Sequence, residues 1–265
     1  MDRRAAALAL SRDGALLAAV HADQDLEILP TDLESRRANV ALIGPAWTLH
    51  TGDETERESA VCVAPQDVTL AADGTRAFLA CTGEDSLVVV DTASATVTTR
   101  VPAGGGTVNK PTAIALTPAG DRVVLSNELT SKVVTFTADD TATMLWASDE
   151  LPGSPGPVAF LPAGATDEAW LVPLQTPNGA ARIDGSSGKL LAQVTYGDDA
   201  CQNPHAATVA ADGRVFLVCE GDHYSPGALV QVDPTTLAIL GRVSVGEYPD
   251  RVAIREAEAG KGTQP

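Results

Sequence analysis

The 265-residue chain is long enough for one large all-β domain or two small ones, and its 35 acidic against 18 basic residues give a net charge of −17. Such a field repels phosphate backbones and anionic membrane surfaces, which argues against nucleic acid and membrane insertion and leaves cationic ligands, metal ions and basic proteins. A 44% hydrophobic fraction with 23 glycines and 20% charged residues fits many short strands joined by tight turns, and fits neither disorder nor a coiled coil.

The N-terminus, MDRRAAALALSRDG, sets Arg3 and Arg4 before an apolar run that stops at Ser11-Arg12-Asp13-Gly14. That run is too short, and lacks the small-residue cleavage pattern, for a signal peptide, so it reads as the first hairpin of a repeat. No apolar stretch approaches the roughly 18 residues of a membrane helix. A turn glycine then recurs at Gly14, Gly74, Gly120, Gly164 and Gly213, at spacings of 60, 46, 44 and 49. Asp or Ala precedes each, the chemistry of a tight turn that needs positive φ. Pro65, Pro111 and Pro204 each stand nine residues before their glycine, where proline can open an inner strand. Pro157 plays the part seven residues before Gly164, and Pro249 begins one more copy. After each glycine a third strand ends at a polar corner: Thr31-Asp32, Asp91-Thr92, Thr137-Ala138, Asp184-Gly185 and Asp233-Pro234.

These repeats predict an all-β fold, a β-propeller of four-stranded antiparallel blades over about 5–44, 65–104, 111–148, 156–197 and 204–246. One four-stranded sheet with two apolar faces cannot bury both alone, and stacked copies can. A sixth inner strand is expected at 248–254, an irregular surface loop at 44–65, and a frayed tail at 256–265. The whole of 1–255 is expected to be one propeller domain.

Segments such as DVTLAADGTRAFLACTGEDSLVVVDTASATV (67–97) and VSVGEYPDRVAI (243–254) resemble the YVTN family of β-propeller repeats. In that family a blade runs from a proline through a hydrophobic strand to Ser-Pro-Asp-Gly, and its third strand ends in Asp-Thr. The resemblance implies a propeller serving as a binding surface, a surface-layer protein, a lactonase-like enzyme or a redox-cofactor partner. It also implies seven blades, which at 44 to 49 residues each would exceed 300 residues, so the chain is expected to be an incomplete arc of a larger ring, with a small five-bladed ring or completion by a second chain as the alternatives.

Four cysteines occupy matching places in blades two and five. Of three connectivities, Cys62–Cys81 and Cys201–Cys219 are favoured, because a hairpin returns the end of its second strand to the start of its first. Free buried thiols or a shared metal are the other readings. Two such bonds imply a periplasmic or extracellular location. The segments CQNPHAATV (201–209) and CEGDHYSPG (219–227) meet on one propeller face, where His205, Glu220, Asp222, His223 and Tyr224 can converge. Two imidazoles and carboxylates suit acid–base work, or a divalent metal on His205 and His223. The bland alternative is a capped strand and a solvated loop.

Other motifs are missing. Gly104-Gly105-Gly106 lacks the strand–helix context of a phosphate loop, no Gly-x-Ser-x-Gly elbow exists, and no Cys-x-x-Cys-His attaches a haem. Trp47, Trp146 and Trp170 read as core or rim fillers. With no catalytic motif in view, the expectation is an exported binding or scaffold module without activity of its own, taking a protein or small-molecule ligand on one face. The competing expectation is a lactonase-like enzyme or redox-partner propeller using the His205/His223 face.

Overall fold

The repeat unit is built by its turns. In a computed structural model describing residues 5–21, 25–31, 47–50, 62–105, 108–161 and 168–254, Gly14, Gly74, Gly120 and Gly213 all take φ between 71° and 84°. Each glycine N–H donates to the carbonyl three residues back, at 2.8–2.9 Å. Gly164 lies outside the described residues. The Asp-Thr corner closes the same turn from the other side. Thr92 Oγ1 donates to the Gly74 carbonyl at 2.6 Å, and Thr31 makes the equivalent bond to Gly14. Asp91 meanwhile accepts from the backbone N–H groups of Ala93 and Ser94. These local side-chain bonds end the strand and start the next turn.

Five antiparallel sheets result among the described residues, four of them four-stranded and one five-stranded, the blades of a β-propeller. The chain divides into two compact units: 1–158 with 187–189, and 159–186 with 190–265. Blade one holds Ala5–Leu10, Leu16–His21, Asp25–Pro30 and Trp47–His50, so its outer strand lies beyond the expected boundary at 44 and inside the expected loop. That strand pairs with the third through Ile28↔Trp47 and Asp25↔His50. The remainder of the 44–65 stretch, apart from 62–65, lies outside the described residues. Blade two (Pro65–Leu70, Arg76–Cys81, Ser86–Asp91, Thr96–Pro102) and blade three (Pro111–Leu116, Arg122–Asn127, Lys132–Thr137, Met144–Ala147) match the expected spans.

Alternation of side chains explains why the middle strands are apolar throughout. In Arg76–Cys81, Ala77, Leu79 and Cys81 pack with blade one, while Phe78 and Ala80 pack with blade three. Val88 and Val90 divide from Leu87 and Val89 in the same way. Outer strands have no neighbour on one edge, and Thr96–Pro102 is accordingly mostly exposed. A buried carboxylate ties blades two and three: Asp67 accepts from Val68 N at 2.9 Å and Ile114 N at 3.0 Å.

In the second unit, blade four holds Ala159–Phe160, Ala169–Gln175, Gly179–Asp184 and Leu190–Thr195. Its inner strand is short, with Phe160 meeting buried Trp170 edge to face at 5.3 Å. Blade five holds Pro204–Val209, Val215–Cys219, Pro226–Val232 and Ile239–Glu247. Their shared core includes Leu171, Leu217, Val230 and Leu237. Residues 248–254 form no strand, contrary to the expected sixth inner strand, and the tail 256–265 lies outside the described residues. Trp170 is a core filler as expected, and the side chain of Trp47 lies outside the description. No helix among the described residues is long and apolar enough to cross a membrane.

Both expected disulfides are formed. The pairings Pro65↔Cys81 and Pro204↔Cys219 set the second strand's end beside the first strand's start. Cys62–Cys81 and Cys201–Cys219 then close with Cα separations of 5.4 and 5.2 Å, and all four sulfurs are buried.

Candidate functional site

The second unit gathers its ionisable groups where blade five's first strand begins. Pro204 pairs with Cys219 and Ala206 with Val218, so His205 is the extra residue of a β-bulge. Blades two and three carry the same irregularity at Gln66 and Thr112. A bulge re-aims the side chain it carries, here an imidazole. His205 Nδ1 lies 3.1 Å from Glu220 Oε1, and its Nε2 lies 2.8 Å from Asp250 Oδ1. Glu220 is 4% exposed, whereas the Asp250 side chain is 63% exposed. One imidazole therefore stands between a buried and an open carboxylate.

Glu220 follows Cys219 directly, so the staple to Cys201 sets where this carboxylate begins. A buried carboxylate needs donors. Glu220 receives the Asn203 side-chain amide and lies 3.2 Å from His223 Nε2. Asn203 is in turn fixed by blade four's loop: its N–H donates to Asn178 Oδ1 at 2.9 Å, and Asn178 Nδ2 donates to Asp198 at 2.7 Å. The Gln175 amide sits 3.3 Å from His205 Nδ1. The Gln175 amide nitrogen can only donate, whereas Glu220 Oε1 accepts at the shorter distance, so a protonated Nδ1 donates to Glu220 and the ring is held in one orientation.

Three residues of this cluster hold left-handed backbone: Asn203 (φ 54°), His223 (φ 68°) and Tyr248 (φ 52°). Ala64 (φ 48°) and Lys110 (φ 54°) hold the same conformation before Pro65 and Pro111, so at Asn203 and Tyr248, each followed by proline, it belongs to the repeat. Tyr248 rests its ring on His223, centroids 4.2 Å apart. The segment 248–250 reaches the site because Gly227 has no side chain. A Cβ there would stand 2.6 Å from Pro249 and 2.5 Å from the Cys219 carbonyl.

Of the five residues expected to converge, His205, Glu220 and His223 do so. Asp222 instead caps its own loop, accepting from Tyr224 N at 3.0 Å and Ser225 N at 2.8 Å. Those donors hold its carboxyl below the ordinary value. Tyr224 is 88% exposed. Asp250, Asn203 and Gln175 are members that sequence reasoning missed. For a metal, the donor atoms within 4.8 Å of one another are those of His205, Glu220 and Asp250, so His223 is replaced by Asp250 in the expected pair. A cleft of about 200 Å³ in this unit is lined by Asp198, Gln202, Asp222 and Arg242, and not by His205.

No family model matches the sequence, and no curated protein matches it. Solved structures do. A protein described as a 6-phosphogluconolactonase from Bacteroides uniformis superposes with a TM-score of 0.73 at 17% identity, covering 94% of this chain and 74% of that one. The periplasmic gluconolactonase of Pseudomonas aeruginosa gives 0.65 at 18%, covering 92% and 71%. Hydrazine synthase of Kuenenia stuttgartiensis gives 0.67 at 13%, covering 93% and 67%. The fold is a β-propeller. At these identities the likeness shows the fold alone, and resemblance to the YVTN family gains no matching model. Against the expectation of a binding module without activity, proteins described as lactonases recur among these neighbours.

Proposed function

We propose that the protein is a lactonase-like hydrolase that opens a sugar-derived lactone at His205. The observation that carries the reading is the imidazole of His205, oriented by buried Glu220 at 3.1 Å and meeting exposed Asp250 at 2.8 Å. The recurrence of lactonases among structures of this fold supports it. Lactone hydrolysis needs a base for water and then an acid for the leaving oxygen, and imidazole serves both near neutrality. With exposed Asp250 swung off the ring, neutral Nε2 takes a proton from water as the water oxygen attacks the lactone carbonyl carbon. The tetrahedral oxyanion collapses, the ring C–O bond breaks, and the departing oxygen takes the proton back from Nε2. The product is the open hydroxy acid, which ionises in water. Glu220 holds the ring and stabilises the imidazolium formed midway. Asp250 passes protons between Nε2 and solvent.

A second reading seats a divalent cation on His205, Glu220 and Asp250, favoured by their clustered donor atoms. The repeat family and the compartment belong to the same proposal. The Pro-to-Gly spacing of nine residues in three blades supports YVTN-type repeats, and the two disulfides support a periplasmic or secreted location.

The test is proton release from glucono-δ-lactone, corrected for spontaneous opening, with and without a chelator. Wild-type protein should accelerate it, and His205→Ala should lose about a hundredfold in kcat/KM. Wild type at the spontaneous rate sinks the hydrolase. Activity abolished by the chelator and restored by a divalent cation moves the reading to the metal.

A further inference from the structure

We infer, resting on the hydrolase reading, that this site takes an uncharged polyhydroxy lactone and rejects its phosphorylated counterpart, with Asp222 as a specificity-determining charge. The solved structures of this fold include proteins described as acting on each kind, so fold does not choose between them. Charge does. Among the described residues of the second unit, ten carboxylates face four guanidiniums and no lysine. Two of the four guanidiniums stand beside carboxylates: Arg214 Nε is 2.7 Å from Asp212, and Arg251 Nε is 4.0 Å from Asp250. Arg182 is only partly exposed, and Arg242 shares its cleft with Asp198 and Asp222.

A phosphate dianion is bound by converging arginines, lysines or a row of backbone N–H groups. Around His205 the converging carboxylates are Glu220 and Asp250; Asp222 does not converge with them but stands two residues from Glu220, on the loop that carries His223. The N–H groups of Tyr224 and Ser225 are spent on Asp222. That same capping keeps Asp222 ionised, and its charge is fixed by the loop. Sugar hydroxyls, by contrast, donate well to carboxylates. Tyr248, 56% exposed and resting on His223, adds an aromatic face for the C–H side of a ring. The field therefore penalises a phosphorylated ligand and accommodates a neutral one.

Steady-state rates on glucono-δ-lactone and 6-phosphoglucono-δ-lactone test this. Wild type should prefer the neutral lactone by about tenfold or more in kcat/KM at low ionic strength. The preference should narrow at about 0.5 M salt, where the Debye length is only several ångströms. Asp222→Asn keeps the turn's acceptor oxygen and should shift the ratio toward the phosphorylated lactone by about threefold. Asp212→Asn is the control: its turn lies at the far end of the strand from His205, about 15 Å away, and it should leave the ratio unmoved. Equal or better turnover of the phosphorylated lactone overturns the inference and leaves the hydrolase standing. Turnover of neither lactone fails the hydrolase, and calorimetry with glucose and glucose 6-phosphate then judges the charge filter alone. Tighter binding of the phosphate sugar overturns the filter, and binding of glucose alone supports it.

Discussion

Removing each disulfide in turn separates its structural from its functional share. Cys62–Cys81 and Cys201–Cys219 close loops of nearly equal length, with sequence separations of 19 and 18. Loop-closure entropy assigns about 3 kcal/mol to each. All four cysteines are at most 1% exposed, so Cys→Ala in either pair also loses comparable packing. The double variants Cys62→Ala/Cys81→Ala and Cys201→Ala/Cys219→Ala should therefore be destabilised alike, by about 3 kcal/mol each in urea unfolding followed by circular dichroism. Their activities should differ. Cys219 is bonded to Glu220 through the main chain, and Cys201 lies two residues before Asn203. Freeing both lets the carboxylate and its amide donor drift, and a shift of about 1 Å in such a constellation costs up to a hundredfold in rate. Lactone hydrolysis, measured well below the melting range, should fall at least tenfold in the blade-five variant and stay within about twofold in the blade-two variant. Equal activity losses in the two, or a wild-type rate in the blade-five variant, would refute the positioning argument.

Three further outcomes follow from the geometry. Asn203→Gly relieves a φ of 54° but removes the amide that donates to Glu220, so stability should change by about 1 kcal/mol or less while kcat falls at least tenfold, read by urea titration and initial rates. Gly227→Ala sets a Cβ 2.5–2.6 Å from Pro249 and the Cys219 carbonyl; it should cost about 2 kcal/mol and displace Asp250, lowering activity more than the stability loss explains. The turn carboxylates Asp13, Asp73, Asp91, Asp139, Asp212, Asp222 and Asp233 are all held below 3.8 by hydrogen bonds. Unfolding raises their proton affinity, so their contribution is complete above about pH 4 and lost as pH falls through the lowered folded values. The melting temperature should drop steeply below pH 4, less so in Asp91→Asn; a melting temperature that keeps rising toward pH 3 contradicts this.

The amino-acid sequence by itself determined the repeat. Turn glycines at Gly14, Gly74, Gly120 and Gly213, the prolines nine residues ahead of three of them, and corners such as Asp91-Thr92 act within a few residues of chain. Their geometry is decided by φ, hydrogen-bond reach and strand alternation alone. The disulfides belong with them, since a hairpin's own register brings Cys62 to Cys81 and Cys201 to Cys219. Blade one's outer strand was hidden because Gly44-Pro45, just ahead of Trp47, reads as the start of a loop. The site was only half legible. His205, Glu220 and His223 could be picked out by residue type, but Asp250 looked like part of a strand, and Asn203 and Gln175 carried no signal. Tertiary structure decided those: a bulge turns His205 toward Glu220, a missing Cβ at Gly227 admits Pro249, and left-handed backbone at Asn203 and Tyr248 aims their side chains inward. The approach of Pro249 to Gly227 joins separated segments of the chain, and that is information local periodicity does not contain.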